Sequence, residues 1–248
     1  MKSGDYLLIA VILLIILILK RGQIFAVFAK FCYAKGDVQK ALRIFDLADK
    51  IGGMNTKNVV NYGYLYLRQG NTQKAEEILK KAYIKEKNPV LRKKINSIFA
   101  LVLWKENDLD GAIDMLEGVL EGFQETTVYQ NLGVFYIIKG DGEKALEFNK
   151  KAYEFNSDDL AIMDNLAQSL VLCGNTDEAE RLYEKILDSE PGFPEPYYGF
   201  GELLCERGEK EKGIELIEKA LEKNYSFLSV KSEDEVKEIL SRYKKEVE

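Results

Sequence analysis

The residues that most often perform nucleophilic or metal chemistry are scarce in this chain. Its 248 residues include no histidine, which excludes Ser–His and Cys–His nucleophile pairs and any imidazole-ligated metal. Cys32, Cys173 and Cys205 are dispersed and form no Cys-x-x-Cys pair. Such a set is typical of a reducing compartment, and Cys32 is predicted to be a small buried core residue. The sequence therefore predicts no enzymatic activity, no cofactor and no metal site.

A different set of side chains suits non-covalent recognition. Trp104, the only tryptophan, precedes Lys105, and a tryptophan flanked by cations is typical of a binding hot spot. The alternative is that Trp104 packs on a neighbouring part of the fold. Aromatic and basic residues occur earlier in the chain, and apolar residues occur later. The predicted protein-binding residues are Tyr33, Tyr64, Arg68, Lys94, Trp104, Lys105, Val134, Ile137, Ile138, Val171 and Leu172. An acidic group is predicted to end the same surface: Asp164, Glu195, Glu202 and Glu206.

These residues can share one surface only if the chain folds as a repeat. A recurrent turn occurs six times, at intervals of 34, 37, 33, 34 and 34 residues, and a period in that range indicates stacked helix pairs. The first turn residue is Gly or Asn, the types that most readily end a helix in the left-handed region. The six positions are Gly36, Gly70, Asn107, Gly140, Gly174 and Gly208.

Small residues at two fixed distances from each turn predict where the two helices of a repeat cross. Only Gly or Ala stands seven residues before and five residues after each turn, and small residues allow the closest approach of two helices. The twelve positions are Ala29, Gly63, Ala100, Gly133, Ala167, Gly201, Ala41, Ala75, Ala112, Ala145, Ala179 and Gly213. Large core residues are expected beside the first set, beginning with Phe28. A second set of large core residues is expected on the second helix of each repeat. Asn149 is the polar exception in this set, and Phe148 is predicted to substitute for it.

This pattern resembles the tetratricopeptide repeat (TPR) family over about 200 residues. The stretches Tyr129–Ala152 and Leu160–Pro191 carry the resemblance most clearly. The expected fold is all-α: a right-handed, TPR-type superhelical solenoid of about six helix-turn-helix repeats plus a C-terminal capping helix, preceded by one transmembrane helix. The candidate binding residues then lie on the first helix of each repeat and line the concave face. An extended peptide or a partner helix is the expected ligand.

The predicted domain boundaries follow from the turns. Ser232-Glu-Asp-Glu235 has the form of a capping box, so the last helix is expected to begin there and to cover the final repeat. The predicted anchor is 1–21, the repeats together span 22–231, and the capping helix is 232–248. The individual repeats are 22–55, 56–92, 93–125, 126–159, 160–193 and 194–227.

The N-terminal segment predicts the membrane anchor. Tyr6–Leu19 is fourteen uninterrupted apolar residues, and about twenty residues, or about 30 Å of helix, become available when the flanking residues are included. A cleavable signal peptide is the alternative. More Lys and Arg residues follow the segment than precede it, which predicts that the repeats face the cytoplasm.

The charge distribution bears on partners. A formal net charge of −6 and a pI near 5.1, with no recognisable nucleic-acid module, predict no nucleic-acid partner. Residues 20–105 contain 18 Lys or Arg against 6 Asp or Glu, whereas 106–248 contain 16 against 34. Anionic lipid near residues 20–105 is therefore a candidate partner beside the anchor. An ordinary solvated helix surface is the alternative.

Taken together, these features predict a membrane-anchored TPR scaffold or adaptor that binds protein or peptide partners on its concave face at the cytoplasmic membrane surface. The alternative is an extracytoplasmic TPR protein, anchored or secreted, that assists the assembly or quality control of envelope or surface proteins.

Overall fold

The fold was obtained as a computed structural model, and its described residues form α-helices and no β-strand. They divide into two compact units, unit 1 ending at Ile98 and unit 2 beginning at Phe99. We describe each unit by itself. The described residues are 20–246 together with Tyr6, Val11, Ile12, Ile15 and Ile18.

From residue 20 onward, the described part of unit 1 contains four helices and the first part of a fifth. Its helices pack as consecutive pairs, α1 with α2 and α3 with α4. The core between them is built from small and aromatic side chains, including Ala29, Cys32, Phe45 and Tyr62, which confirms the buried position predicted for Cys32. The helices are α1 (Arg21–Ala34), α2 (Val38–Ile51), α3 (Thr56–Arg68), α4 (Thr72–Lys85) and α5 (Pro89–Lys105).

Unit 2 contains the end of α5 and eight further helices. The first helix of each repeat is helix A and the second is helix B. α7 packs on α8, α9 on α10 and α11 on α12, while the A helices α7, α9 and α11 also contact one another in sequence. The helices are α6 (Leu109–Leu120), α7 (Thr126–Lys139), α8 (Gly142–Phe155), α9 (Leu160–Leu172), α10 (Thr176–Leu187), α11 (Glu195–Glu206), α12 (Lys210–Leu221) and α13 (Glu233–Lys245).

The predicted crossing positions are confirmed, because all twelve Gly and Ala residues are buried. The tightest approach joins α11 to α12. A Cβ added at Gly201 would lie 2.6 Å from Cγ1 of Ile217 and 2.7 Å from the carbonyl oxygen of Gly213. Side chains larger than hydrogen therefore have no room at this crossing.

Phe28 does not fill the core position expected for it. Its side chain is 55% exposed, whereas four of its counterparts are buried and Phe99 is half-buried. The buried counterparts are Tyr62, Leu132, Leu166 and Phe200. These counterparts lie on α3, α7, α9 and α11, and each of those helices follows another repeat. Among the described residues no repeat precedes α1.

Asn149 is buried on α8, the helix B of its repeat, so Phe148 does not substitute for it as predicted. Its Nδ2 donates hydrogen bonds to Oγ of Ser169 at 2.8 Å and to the carbonyl oxygen of Gly133 at 3.3 Å. Phe148 instead packs against the rings of Tyr129 and Tyr136. The amide donor is thus satisfied by its own repeat and by the next one, whereas Oδ1 of Asn149 is buried without a hydrogen-bond partner among the described residues.

Each turn dipeptide has two separate roles. All six first residues have positive φ, including Asn107 at 65°, so they end helix A in the left-handed conformation predicted for them. In the first four turns the second residue then caps helix B. For example, the carboxylate of Asp141 accepts a hydrogen bond from the backbone N–H of Lys144 at 3.1 Å, which satisfies one of the exposed donors at the helix start.

The turn geometry predicts that alanine destabilises the protein at Gly140 but not at the neighbouring Gly142. Gly140→Ala is expected to lower the free energy of unfolding by about 1 kcal/mol, since its φ of 81° disfavours a Cβ. Gly142→Ala is the matched control, because a Cβ there would make only ordinary contacts, the nearest at 3.4 Å from Sγ of Cys173. Urea denaturation followed by circular dichroism measures both. Equal stability of the two variants would contradict the role assigned to the turn.

The third A helix begins earlier than the predicted repeat boundary. α5 starts at Pro89, and the side-chain oxygen of Asn88 accepts hydrogen bonds from the backbone N–H groups of Val90 and Leu91. Proline at the first helical position loses no intrahelical hydrogen bond, so Asn88-Pro89 is a favourable helix start. Residues 89–92, which were predicted to end the second repeat, therefore belong to the helix that begins the third.

The C-terminal cap is confirmed, and the segment before it is unexpected. Ser232 and Glu235 form a reciprocal capping box, and Val236 and Tyr243 of α13 are buried in one cluster with Ile217 of α12. Residues 222–232, which we name the C-terminal connector, separate α12 from α13 without forming a helix. This connection is much longer than the turns within the repeats.

The prediction of a single-pass membrane protein is wrong, and the cytoplasmic side predicted for the repeats loses the anchor on which it was based. Among the residues that the structure describes, no helix is both long enough and apolar enough to cross a membrane. α1 has fourteen residues and contains Arg21 and Lys30; its length of about 21 Å is shorter than the hydrocarbon layer of a bilayer. Most of the predicted anchor, 1–21, lies outside the described residues.

Candidate functional site

The predicted binding residues of unit 1 include one polar-aromatic cluster. Nη1 of Arg68 donates a hydrogen bond to the hydroxyl oxygen of Tyr33 at 2.5 Å, so this bond joins α3 to α1. Tyr64 lies close to both residues, and burial raises the pKa of its hydroxyl while the Arg68 charge partly opposes that rise. Lys94 lies half-buried on α5 of the same unit. The structure therefore brings Tyr33, Tyr64 and Arg68 together, and their role in binding stays a prediction.

Trp104 of unit 2 packs against the next repeat while remaining half-buried. Its ring centroid lies 5.3 Å from that of Phe135 on α7, with a tilt of 50°. Nζ of Lys105 lies 3.7 Å from the Trp104 centroid. The alternative considered for Trp104, packing on a neighbouring repeat, is therefore what the structure shows, and the flanking cation is in place as well.

Lys105 is directed toward the C-terminal connector. Its Nζ donates a hydrogen bond to the carbonyl oxygen of Ser229 at 3.2 Å and lies 5.3 Å from the ring centroid of Phe227. Burial lowers the pKa of the Lys105 ammonium, while the negative charges of Glu235 and Glu195 oppose that effect. The Lys105 ammonium therefore interacts with other groups of the same chain.

The predicted apolar residues lie at two neighbouring cavities in unit 2. Ile137, Val171 and Leu172 line a cavity of about 240 Å³ whose wall also includes Glu202 and Glu206. We name it the aliphatic cavity. Leu172 is 49% exposed at its edge. Its wall therefore combines apolar surface with two carboxylates.

Val134 belongs to the second cavity. This cavity has a volume of about 170 Å³, and Asp164, Glu195 and Val230 also line it. We name it the carboxylate cavity. Ile138 is 38% exposed and is in the wall of neither cavity. The structure thus brings together most, but not all, of the predicted apolar residues.

Two carboxyl groups of the carboxylate cavity are in unusual environments. Oδ2 of Asp164 accepts a hydrogen bond from Nε2 of Gln168 at 2.7 Å, but Oδ1 has no hydrogen-bond partner among the described residues although it is buried. Burial raises the pKa of Asp164 well above its usual range, and the nearby Glu195 carboxylate raises it further. Burial also raises the pKa of Glu195. The cavity therefore contains acceptors that a hydrogen-bond donor or a cation would satisfy.

The C-terminal connector packs against the helices that form the two cavities, with Val230 in the wall of the carboxylate cavity and Lys231 in the wall of the aliphatic cavity. The backbone N–H of Val230 donates to Oε1 of Glu195 at 3.2 Å. Nζ of Lys231 lies 3.3 Å from Oε2 of Glu202 and 4.6 Å from the ring centroid of Tyr198. The connector thus contacts Lys105 on α5. On α11 it contacts Glu195, Tyr198 and Glu202. We name the surface formed by α5 after Ile98, α7, α9 and α11 the A-helix face.

The connector was not predicted as part of the site. A signal was present, because Phe227, Leu228 and Val230 place apolar side chains in an irregular segment between the last repeat and the cap. Such a segment must pack on another surface to remove these side chains from water. Its partner surface could not be inferred from the repeat pattern.

Two other expectations can be assessed in the described part of the chain. No group of three or more His, Cys, Asp or Glu residues there is arranged to hold a metal ion. Anionic lipid was proposed as a partner for residues 20–105 because an anchor was expected beside them. The lipid prediction loses that support, since no described helix can span a membrane.

Comparison with known families agrees with the helix pairs. Three family models, each described as tetratricopeptide repeat, match residues 174–227, residues 57–83 and 126–159, and residues 162–185. Together these matches cover about half of the chain. The chain therefore belongs to the tetratricopeptide-repeat family, as its sequence pattern predicted.

Individual similarities are more distant. The TPR repeat-containing protein YpiA of Bacillus subtilis (strain 168) is 24% identical over 214 residues, which are 83% of this chain and 48% of YpiA. The chain thus spans about half the length of this curated relative. A tetratricopeptide repeat protein from Parabacteroides merdae ATCC 43184 has a TM-score of 0.71 at 17% identity, covering 90% of this chain and 84% of that one.

PilW, described as a widely conserved type IV pilus biogenesis factor, has a TM-score of 0.67 at 15% identity. The match covers 81% of this chain and 92% of PilW. At these identities the similarities to solved structures establish the fold, an all-α TPR-type arrangement, and functional residues must be argued from this chain itself.

Proposed function

We propose that this protein is a non-catalytic TPR scaffold and that the A-helix face of unit 2 binds a segment of a protein partner. The observation that carries the proposal is the aliphatic cavity. There, Ile137, Val171 and Leu172 present apolar surface beside the carboxylates of Glu202 and Glu206. A partly exposed apolar wall bordered by charge is typical of a peptide-binding groove.

The chemistry of the two cavities favours a partner that combines apolar and basic side chains. Burial of an apolar side chain against Val171 and Leu172 would supply the hydrophobic contribution to binding. Carboxylates at the edge would select a cation and reject an acidic side chain, because like charges brought together without solvent are strongly unfavourable. The unpartnered oxygen of Asp164 adds a further acceptor.

A scaffold role also agrees with the available side chains. The chain has no histidine, and Cys32 and Cys205 are buried free thiols. Burial raises the pKa of Cys205, which disfavours the reactive thiolate. These features support binding without catalysis as the function of the repeats.

The proposal predicts that Leu172→Asp weakens partner binding about tenfold, since it places a charge on the apolar wall beside two carboxylates. The purified, tagged protein and its variants would be used to capture partners from a lysate of the source organism, with quantitative mass spectrometry as the readout. Ile84→Asp is the matched control, because Ile84 is 78% exposed on α4 of unit 1. Melting curves should be unchanged for both variants.

The decisive result is a set of proteins retained by the wild type and by Ile84→Asp but lost with Leu172→Asp. If both aspartate variants retain the same proteins, partners bind elsewhere and the proposed role of the A-helix face is wrong.

A further inference from the structure

The C-terminal connector already occupies the A-helix face much as an extended ligand would. Phe227 lies near the Lys105 ammonium, the backbone of Ser229 and Val230 is hydrogen-bonded to Lys105 and Glu195, and Lys231 pairs with Glu202. These contacts combine one ring, two main-chain hydrogen bonds and one ion pair. This is the mixture by which an extended peptide binds a groove.

The same contacts leave the face incompletely satisfied. Oδ1 of Asp164 and the hydroxyl of Tyr198 are buried without hydrogen-bond partners among the described residues. Open volume of about 170 Å³ and about 240 Å³ remains in the cavities beside Val230 and Lys231. A ligand with larger or additional side chains can therefore make contacts that the connector does not make.

The contacts that hold the connector on the A-helix face are weak enough for an external ligand to replace them. The Lys231 and Glu202 side chains are 37% and 23% exposed, and partly exposed ion pairs contribute little to stability. Phe227 is 40% exposed, so it anchors the connector only partly. Displacing residues 227–231 requires no helix to unfold, because no helix includes them.

We infer that residues 227–231 are an internal competitor for the A-helix face, and that the partner is an extended segment with an apolar residue followed directly by Lys or Arg. This inference rests on the function proposed above and specifies its ligand. The apolar residue takes the position of Val230, and the cation takes the position of Lys231 between Glu202 and Tyr198. Carboxylates of Asp164, Glu195 and Glu206 disfavour an acidic residue at the same positions.

Tethering determines how the competition works. The connector is joined to α12 and α13 and stays at high effective concentration, so a free peptide of the same sequence binds the wild-type protein weakly. The apparent affinity equals the intrinsic affinity multiplied by the fraction of molecules with an unoccupied face. Weakening the connector should therefore raise the affinity for an external peptide.

The test uses a fluorescein-labelled peptide with the sequence of residues 224–232, Asn-Tyr-Ser-Phe-Leu-Ser-Val-Lys-Ser, and the full chain. Fluorescence anisotropy measures binding. Lys231→Glu places the connector's charge against Glu202, and we expect this variant to bind the peptide about tenfold more tightly than the wild type. Phe227→Ala weakens the connector without a charge change and should raise affinity in the same direction. A peptide carrying Glu in place of its Lys should bind neither variant.

Lys237→Glu is the matched control, because Lys237 lies outside the connector and pairs with Glu233 and Asp234 within α13. It should bind the peptide as the wild type does. Circular dichroism establishes that each variant is folded, and hydrogen exchange at residues 225–231 should be faster in Lys231→Glu and Phe227→Ala than in the wild type.

Two outcomes would overturn the inference without affecting the proposed function. If the peptide binds the wild type and both connector variants equally, the connector does not compete. If the peptide binds none of them while Leu172→Asp still loses captured proteins, the face binds partners of different chemistry. Failure of the Leu172→Asp capture experiment would instead remove the proposed function itself.

Discussion

Replacing Gly201 by leucine should lower the free energy of unfolding by about 3 kcal/mol, because overpacking a close helix crossing forces the backbones apart. Even a single Cβ there would lie 2.7 Å from the carbonyl oxygen of Gly213 and 2.6 Å from Cγ1 of Ile217. The carbonyl belongs to helix backbone and cannot rotate away as a flexible side chain would. Relief therefore requires that α11 and α12 separate, which also loosens the buried cluster they share with α13.

Gly118 provides the matched control for this substitution. It lies on the exposed side of α6, and a Cβ there would meet no atom within 4 Å. Gly118→Leu should increase stability by roughly 0.5–1 kcal/mol through its better helix propensity. Urea denaturation followed at 222 nm by circular dichroism measures both variants. If Gly201→Leu proves as stable as Gly118→Leu, the crossing assigned to α11 and α12 is incorrect.

The second large effect is expected at Asp164, whose replacement by asparagine should stabilise the protein by about 2 kcal/mol at neutral pH. The carboxyl group is buried, has one unpartnered oxygen and lies near Glu195. Asparagine retains an oxygen to accept the Gln168 hydrogen bond and adds a donor where the unpartnered oxygen now lies. The change removes a buried charge without creating a cavity.

The stabilisation expected from Asp164→Asn should depend on pH. Burial raises the pKa of Asp164 in the folded protein, whereas the unfolded chain releases the proton near its usual pKa of about 3.9. As pH rises from about 4, the folded state holds the proton more tightly than the unfolded state, so the stability contributed by this group declines. The advantage of Asp164→Asn should therefore be absent near pH 4 and grow toward neutral pH.

Denaturation midpoints of the wild type and Asp164→Asn would be measured at intervals from pH 4 to pH 8. Asp188→Asn serves as the control, since this aspartate is exposed at the end of α10, and its replacement should change stability little at any of these pH values. A constant difference between Asp164→Asn and the wild type across the range would show that Asp164 does not titrate differently on folding.

The sequence by itself determined the repeat architecture. The six turns, the left-handed conformation at Asn107, the twelve small crossing residues and the Ser232–Glu235 capping box were all predicted and are all present. These features depend on local backbone preference and on contacts between neighbouring helices. Both recur with the period of the repeat, so six copies reinforce one another.

Some of the residues that the sequence predicts to bind a partner lie near one another in the structure. Ile137, Val171 and Leu172 meet at one cavity, and Tyr33, Tyr64 and Arg68 meet in unit 1. Their positions on helix A follow from helical spacing within the repeat. The environment of a residue was harder to predict where it depends on what lies beyond its own repeat: Phe28 is exposed, contrary to expectation, and for Trp104 the sequence left open the packing on Phe135 that the structure shows.

Only the tertiary structure revealed how the A-helix face is occupied. The hydrogen bond between Lys105 and Ser229 joins residues 124 positions apart, and no periodic pattern relates the connector to the repeats. The burial and the unpartnered oxygen of Asp164 likewise depend on Glu195, Gln168 and the path of the connector. A repeat pattern specifies contacts between neighbours, whereas the path of a non-repeating segment depends on long-range packing that has no counterpart in local sequence.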